Sequence, residues 1–185
     1  LLKDRKESYM YAFIDPFQDI FNRTQTLEEV FKLRPLQLDK NCRNTKEIAL
    51  FSYGCIDKEP IMHEHSPTGN EVQLIKYKDG KDQISIINKI LSELILEKEV
   101  LKEEIVILST KSKMRSSVWK NRNLINKEFN ITDKLSSQGE LVYFDTVRRF
   151  KGLDSKVIVI TDVDYYESDE FHYTGFSRAK LLLYV

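Results

Sequence analysis

Apolar positions along the chain fall into two rhythms. Between 82 and 99, Ile84, Ile87, Ile90, Leu91, Leu94 and Ile95 recur at three- and four-residue steps, which places them on one face of an amphipathic helix. Elsewhere they come as short runs rich in β-formers, at 9–14, 105–108, 142–147, 156–161 and 181–185. Unbroken runs of that length suit strands buried on both sides. Residues 71–77 set Val72, Leu74, Ile75 and Tyr77 among polar neighbours and predict another strand, as does the short 36–38. Asp15-Pro16 breaks the first strand. Shorter helices are predicted from near Leu27, capped by Thr26 and ended by Pro35; from Asn44 or Thr45 to about Tyr53; over 116–129; and over 173–180. Residues 57–70, rich in Pro, His, Gly and acids, and residues 131–139 read as loops.

Strands alternating with helices predict an α/β fold with a mainly parallel sheet covered on both faces. In such folds chemistry is expected at the carboxyl ends of the strands. A boundary is expected near residues 22–36, after the first strand.

Composition narrows the function classes. The 185 residues carry 29 Lys+Arg and 29 Asp+Glu, so global charge offers no attraction for nucleic acid or acidic membranes, and any such surface must be local. A hydrophobic share of 41% excludes a disordered chain. No apolar run approaches the ~20 residues of a membrane span, so no membrane partner is expected. Cys42 and Cys55 lack paired metal-ligand spacing even with His63 and His65 nearby. They read as reduced thiols with no metal site, in a cytoplasmic protein. The chain opens without a methionine or a secretion signal and stops in an apolar run, as expected of a piece of a larger protein.

Four segments could carry chemistry. Thr146-Val147-Arg148-Arg149-Phe150-Lys151-Gly152-Leu153-Asp154 follows a strand and gathers three cations, a glycine and a carboxylate, a set able to hold phosphates and ribose hydroxyls. Tyr173-Thr174-Gly175-Phe176-Ser177-Arg178-Ala179 offers Arg178 between small residues. Asn41-Cys42-Arg43-Asn44 puts Arg43 before a helix, where an anion is well placed. Asp15-Pro16-Phe17-Gln18 ends a strand with an amide that could orient water or meet a phosphate oxygen. Each alone is also an ordinary basic turn, a capped helix start or a salt-bridged surface arginine.

Taken in order, the four segments resemble motifs III (Asp15 to Gln18, after Phe13-Ile14), IV (Leu38 to Asn44), V and VI of superfamily-one helicases of the UvrD/Rep type. The resemblance implies a three-layer RecA-like, P-loop NTPase-like domain. Residues 1–25 would be the last strand and motif III of a first RecA-like domain, and 26–185 the second. It implies an ATP-dependent DNA helicase or translocase with ATP and Mg2+ as cofactors. Its partners would be single-stranded DNA or RNA and the first RecA-like domain. Arg178 would be the arginine finger, with Arg43 and Gln18 also at the γ-phosphate. Gly152, Asp154, Lys151 and Gly175 would bind the nucleotide, Asp154 at the ribose. Thr146 and Arg148 would touch the nucleic-acid backbone.

The chain departs from the family pattern in places. Arg148 stands where motif V usually has His, Asp154 where it has Glu, and Cys42 where motif IV has an aromatic. The stretch between Arg43 and Thr146 is too short for the large accessory domain of the best-known members. No Gly-x-x-x-x-Gly-Lys-Ser/Thr phosphate loop occurs, and no Asp-Glu pair sits in the Mg2+-binding context. The piece is therefore expected to be inactive in ATP hydrolysis alone. Two other classes remain open: a non-catalytic nucleic-acid-binding or regulatory module with a helicase-like fold, and an α/β protein-interaction domain whose motifs are coincidental.

Overall fold

A computed structural model describes residues 15–18, 39–129, 131–134, 141–163 and 167–185. The expected strands at 9–14 and 36–38, the helix near Leu27 and the proposed domain boundary lie outside the described residues. At the centre is a five-stranded parallel sheet in the order β4-β5-β3-β6-β7. Its strands are β3 (Ile105–Ser109), β4 (Ile131–Thr132), β5 (Val142–Thr146), β6 (Ser155–Thr161) and β7 (Ala179–Tyr184). A separate parallel pair joins β1 (Lys40–Asn41) to β2 (Ile61–Met62). The helices are α1 (Lys46–Gly54), α2 (Gly80–Ser92), α3 (Ser117–Lys120) and α4 (Asp169–Phe176).

The central strand shows why the apolar runs are unbroken. Every residue of β3 is buried. Ile105 and Ile107 pack to one side against Ile84, Ile87, Leu91 and Leu94 of α2 and its continuation. Val106 and Leu108 pack to the other side with Ile48 of α1 and Phe171 and Phe176 of α4. Helices thus cover both faces, as a parallel sheet requires.

Asp79 caps α2, which begins at Gly80, two residues before the expected start, and its carboxylate accepts the Lys81 and Asp82 amides. Those two bonds hold the Asp79 carboxyl below its ordinary value. The helix runs on into a π-turn, Glu93–Glu97.

Several local expectations need correction. The helix expected over 116–129 is only α3 followed by 3-10 turns at Arg122–Leu124 and Lys127–Phe129. Asparagines compete with the helical bonds there: Asn121 Nδ2 donates to the Ser117 carbonyl, Asn126 Oδ1 accepts the Glu128 amide, and Asn88 of α2 ties the Leu124 carbonyl and Asn126 amide. The loops expected at 57–70 and 131–139 contain β2 and β4, two-residue strands defined by their pairing partners rather than by composition. Residues 71–77 do not form a full strand. They add one bridge to the sheet edge, with Gln73 and Ile75 amides donating to the carbonyls of Leu183 and Val185. The last helix begins at Asp169, capped by the Ser168 hydroxyl, and ends at Phe176. Arg178 therefore lies in the turn between α4 and β7. Among the described residues, no helix is long and apolar enough to cross a membrane.

Candidate functional site

The α4–β7 turn places Arg178 at the amino end of β7, and Leu153-Asp154 lead into the neighbouring amino end of β6. Arg178 is 3% exposed. Its Nε donates to the Thr174 carbonyl at 3.0 Å and its Nη1 to the Leu153 carbonyl at 3.2 Å. Its Nη2 donates to Gln18 Oε1. Burial depresses its pKa first, then the positive charge of Arg43, with Asp15, Tyr173 and Asp154 acting the other way. The charge of Arg43 thus acts against that of Arg178, and an anion bound nearby would relieve the opposition.

Gln18 is buried and tied on three sides. Its Nε2 donates to Asp15 Oδ2 at 2.6 Å, its Oε1 receives Arg178, and its carbonyl accepts Lys151 Nζ at 2.7 Å. The Pro16–Gln18 turn is anchored by aromatic packing, with Phe17 edge-on to Tyr53 and Tyr173. The Tyr173 hydroxyl lies 3.4 Å from Asp15 Oδ2, and burial first, then hydrogen bonding to Tyr53 and the Asp15 charge, pushes its pKa up.

Arg43 is exposed, and its position is set by its neighbours. Asn41 Oδ1 accepts the Arg43 and Asn44 amides. Buried Asn44 Nδ2 donates to the carbonyls of Ser177 and Ala179, at 3.0 and 2.5 Å, on either side of Arg178. The Thr45 amide donates to the Lys180 carbonyl. The loop bearing Arg43 is thereby stitched to the turn bearing Arg178. Asn44 does this work in place of capping α1, where Thr45 stands at the N-cap without a side-chain bond.

The remaining candidates divide between two ends of the sheet. Gly152 has φ +91°, a backbone that favours glycine, and nothing crowds its Cβ position. Asp154 is paired with Lys180 at 2.7 Å. Gly175 faces the sheet: a Cβ there would meet Ile160 and Val147 at 3.2 to 3.4 Å, so its smallness serves the seating of α4. Thr146 ends β5 at the carboxyl side, in register with Ser109, and caps the following turn by accepting the Arg149 amide. Arg148 is exposed, pairs with Glu167 at 3.7 Å and lies over the Phe171 ring. The expectation that the chemistry gathers at the carboxyl ends is therefore corrected. Thr146 and Arg148 lie there, but Arg178, Asp154 and Gln18 lie at the amino ends of β6 and β7, and residues 146–154 run from one end to the other.

Asn44, Asp15, Lys180 and Lys151 complete the arginine corner. Of these, Lys151 is among the expected nucleotide-binding residues, Asp15 and Asn44 lie inside recognised segments without an assigned role, and Lys180 follows one directly. Cys42 and Cys55 are free thiols, and burial raises the pKa of Cys55.

The architecture defines a class: a parallel α/β domain with helices on both faces. It is similar in fold to the crystal structure of the C-terminal domain of a possible DNA helicase from Lactobacillus plantarum WCFS1, with a TM-score of 0.55 and 16% identity over 77% of this chain and 84% of that one. Residues 141–185, which hold β5, β6, α4 and β7, match the family model of the UvrD-like helicase C-terminal domain. No curated protein matches the chain. The family match is confined to residues 141–185, while the likeness in fold extends over 77% of the chain.

Proposed function

We propose that this chain is the second motor domain of an ATP-dependent DNA helicase or translocase, supplying arginines in trans to a nucleotide bound on a companion RecA-like domain. The observation that carries the reading is the corner itself. A buried Arg178 is held by three acceptors beside an exposed Arg43, with the Gln18 segment packed against both α4 and Lys151. A preorganised pair of cations suits charge developing on a transferring phosphoryl group, because no reorganisation is needed at the moment of reaction.

The residues present fit the terminal phosphate of ATP. Arg178 and Arg43 would meet the γ-phosphate, Gln18 would link that contact to Lys151, and Gly152 would leave room for close approach. Asp154 would reach a ribose hydroxyl only by sharing its carboxylate with Lys180. Mg2+ would accompany the nucleotide on the companion domain. Thr146 and Arg148 would contact the backbone of single-stranded DNA, a largely electrostatic grip with little sequence preference. Nucleotide-driven closing and opening of the two domains would then reach that grip through residues 146–154.

The test is single-strand-stimulated ATP hydrolysis by the full-length protein, beside this 185-residue chain and the Arg178→Ala full-length variant. Activity in the wild type alone, with the variant folded, supports the motor. An inactive wild type that still binds single strands supports the non-catalytic nucleic-acid-binding module, a reading favoured by the occupied state of Asp154.

A further inference from the structure

The carboxyl ends of β5, β3 and β6 lie side by side, Ser109 being in register with Thr146 on one flank and Thr161 on the other. Asp162 follows β6, is 2% exposed and has φ +60°. Left-handed backbone is uncommon for a residue other than glycine, and a buried carboxylate is costly unless its oxygens are hydrogen-bonded. Here they are bonded to one loop. The Ser109 hydroxyl donates to Asp162 Oδ2 at 2.6 Å, and the Ser117 amide donates to Oδ1 at 3.3 Å. The Thr110 hydroxyl donates to the Asp162 carbonyl at 2.5 Å. Ser109 Oγ in turn accepts the Lys111 amide at 3.1 Å.

One residue therefore brackets the whole β3–α3 loop, gripping Ser109 and Thr110 at its start and Ser117 at its end. Between those grips the Ser112 carbonyl accepts the amides of Arg115 and Ser116, which closes a tight turn. The turn pushes Met114 to 77% exposure and leaves Arg115 exposed beside it. Lys113 folds back over the Trp119 ring and pairs with Asp133. The result is a fixed loop with a cation and a soft apolar side chain at its tip, on the same end of the sheet as Thr146 and Arg148.

We propose that Asp162 is a positioning residue for nucleic acid. It holds the β3–α3 loop so that Arg115 and Met114 extend the single-strand contact of Thr146 and Arg148 into one continuous rim. This rests on the reading of Thr146 and Arg148 as nucleic-acid contacts. A cation on a loop already ordered loses less entropy on meeting a phosphate than one on a loose loop. A polarizable thioether can lie against the face of any base, which suits a grip without sequence preference.

The test uses the full-length protein and a labelled oligo(dT) strand, with affinity measured by anisotropy across a salt series. Arg115→Ala and Asp162→Asn are each expected to weaken binding by roughly three- to tenfold, with the salt slope falling by about one for Arg115→Ala. Because Asp162 acts through the loop, the double variant is expected to bind no more weakly than the weaker-binding single. If Asp162→Asn does not fold, Ser109→Ala and Thr110→Val each remove one grip and are expected to show the same non-additivity with Arg115→Ala. Additive losses, or no loss on Arg115→Ala while Thr146→Ala and Arg148→Ala weaken binding, overturn the rim and leave the nucleic-acid reading standing. A wild-type protein that binds no oligomer overturns both.

Discussion

Arg178 and Arg115 are cations at opposite ends of one sheet, held by different means. Arg178 is buried, and each of its three guanidinium nitrogens meets an acceptor from a different segment: α4, the β5–β6 connection and the Gln18 turn. Arg115 is exposed, and its backbone is held in a loop bracketed by Asp162. The first arrangement sets the side chain itself and suits a role where small displacements of charge matter. The second sets where an exposed side chain starts from, which suits contact with a flexible polymer. Residues 146–154 touch both ends, so the two arrangements are mechanically joined through one segment.

The sharpest break in this comparison is Arg178→Ala. On the proposed role of Arg178, this change should reduce ATP hydrolysis by about 10³-fold or more, while affinity for single strands in the absence of nucleotide stays within a fewfold. A parallel loss of both would mean that the ends are not separate sites. Next is Asn44→Ala, which leaves the Ser177 and Ala179 carbonyls without their partner. Unfolding stability is expected to fall by about 1–3 kcal/mol, read by denaturant titration, with reduced ATP hydrolysis from a displaced Arg43.

Gly175→Ala should cost about 1–3 kcal/mol, because its Cβ would press on Val147 and Ile160. Adding Val147→Ala should return part of that loss, whereas an unchanged deficit would place the role of Gly175 elsewhere. The smallest effect concerns Tyr143. Burial and its hydrogen bond to Asp145 push its pKa up to about 12. A folded-state value above the unfolded one means that the contribution is fully present below about pH 10 and is lost as pH rises through about 12. Tyrosinate absorbance in the folded protein should show this late titration, and Tyr143→Phe should remove it.

Much of the scaffold was legible because burial on two faces leaves an unmistakable run. The β3, β5 and β6 strands, and the helix bearing Ile84 to Leu94, fall where their apolar residues place them. The helix over 116–129 was misread because side-chain competition by Asn121 and Asn126 is invisible to periodicity. β2 and β4 were missed because two-residue strands exist only through their partners. Within the site, the recognised segments located Arg43, Arg178, Gln18 and Lys151. Which end of the sheet each occupies depends on crossover paths that spacing does not encode. The anchoring roles of Asn44 and Asp162 are not legible, because a cap residue and a loop acid look ordinary until their distant acceptors and donors are in place.

The most direct test compares the affinity of the full-length protein for a non-hydrolysable ATP analogue and for ADP, in the wild type and in a folded Arg178→Ala variant. An arginine that meets the γ-phosphate should, when removed, weaken the analogue by roughly tenfold or more and leave ADP nearly unchanged, since a charge-assisted bond is worth about 1.5–3 kcal/mol. Equal losses for both nucleotides, or no loss for either, would contradict the assignment of Arg178 to the phosphoryl group.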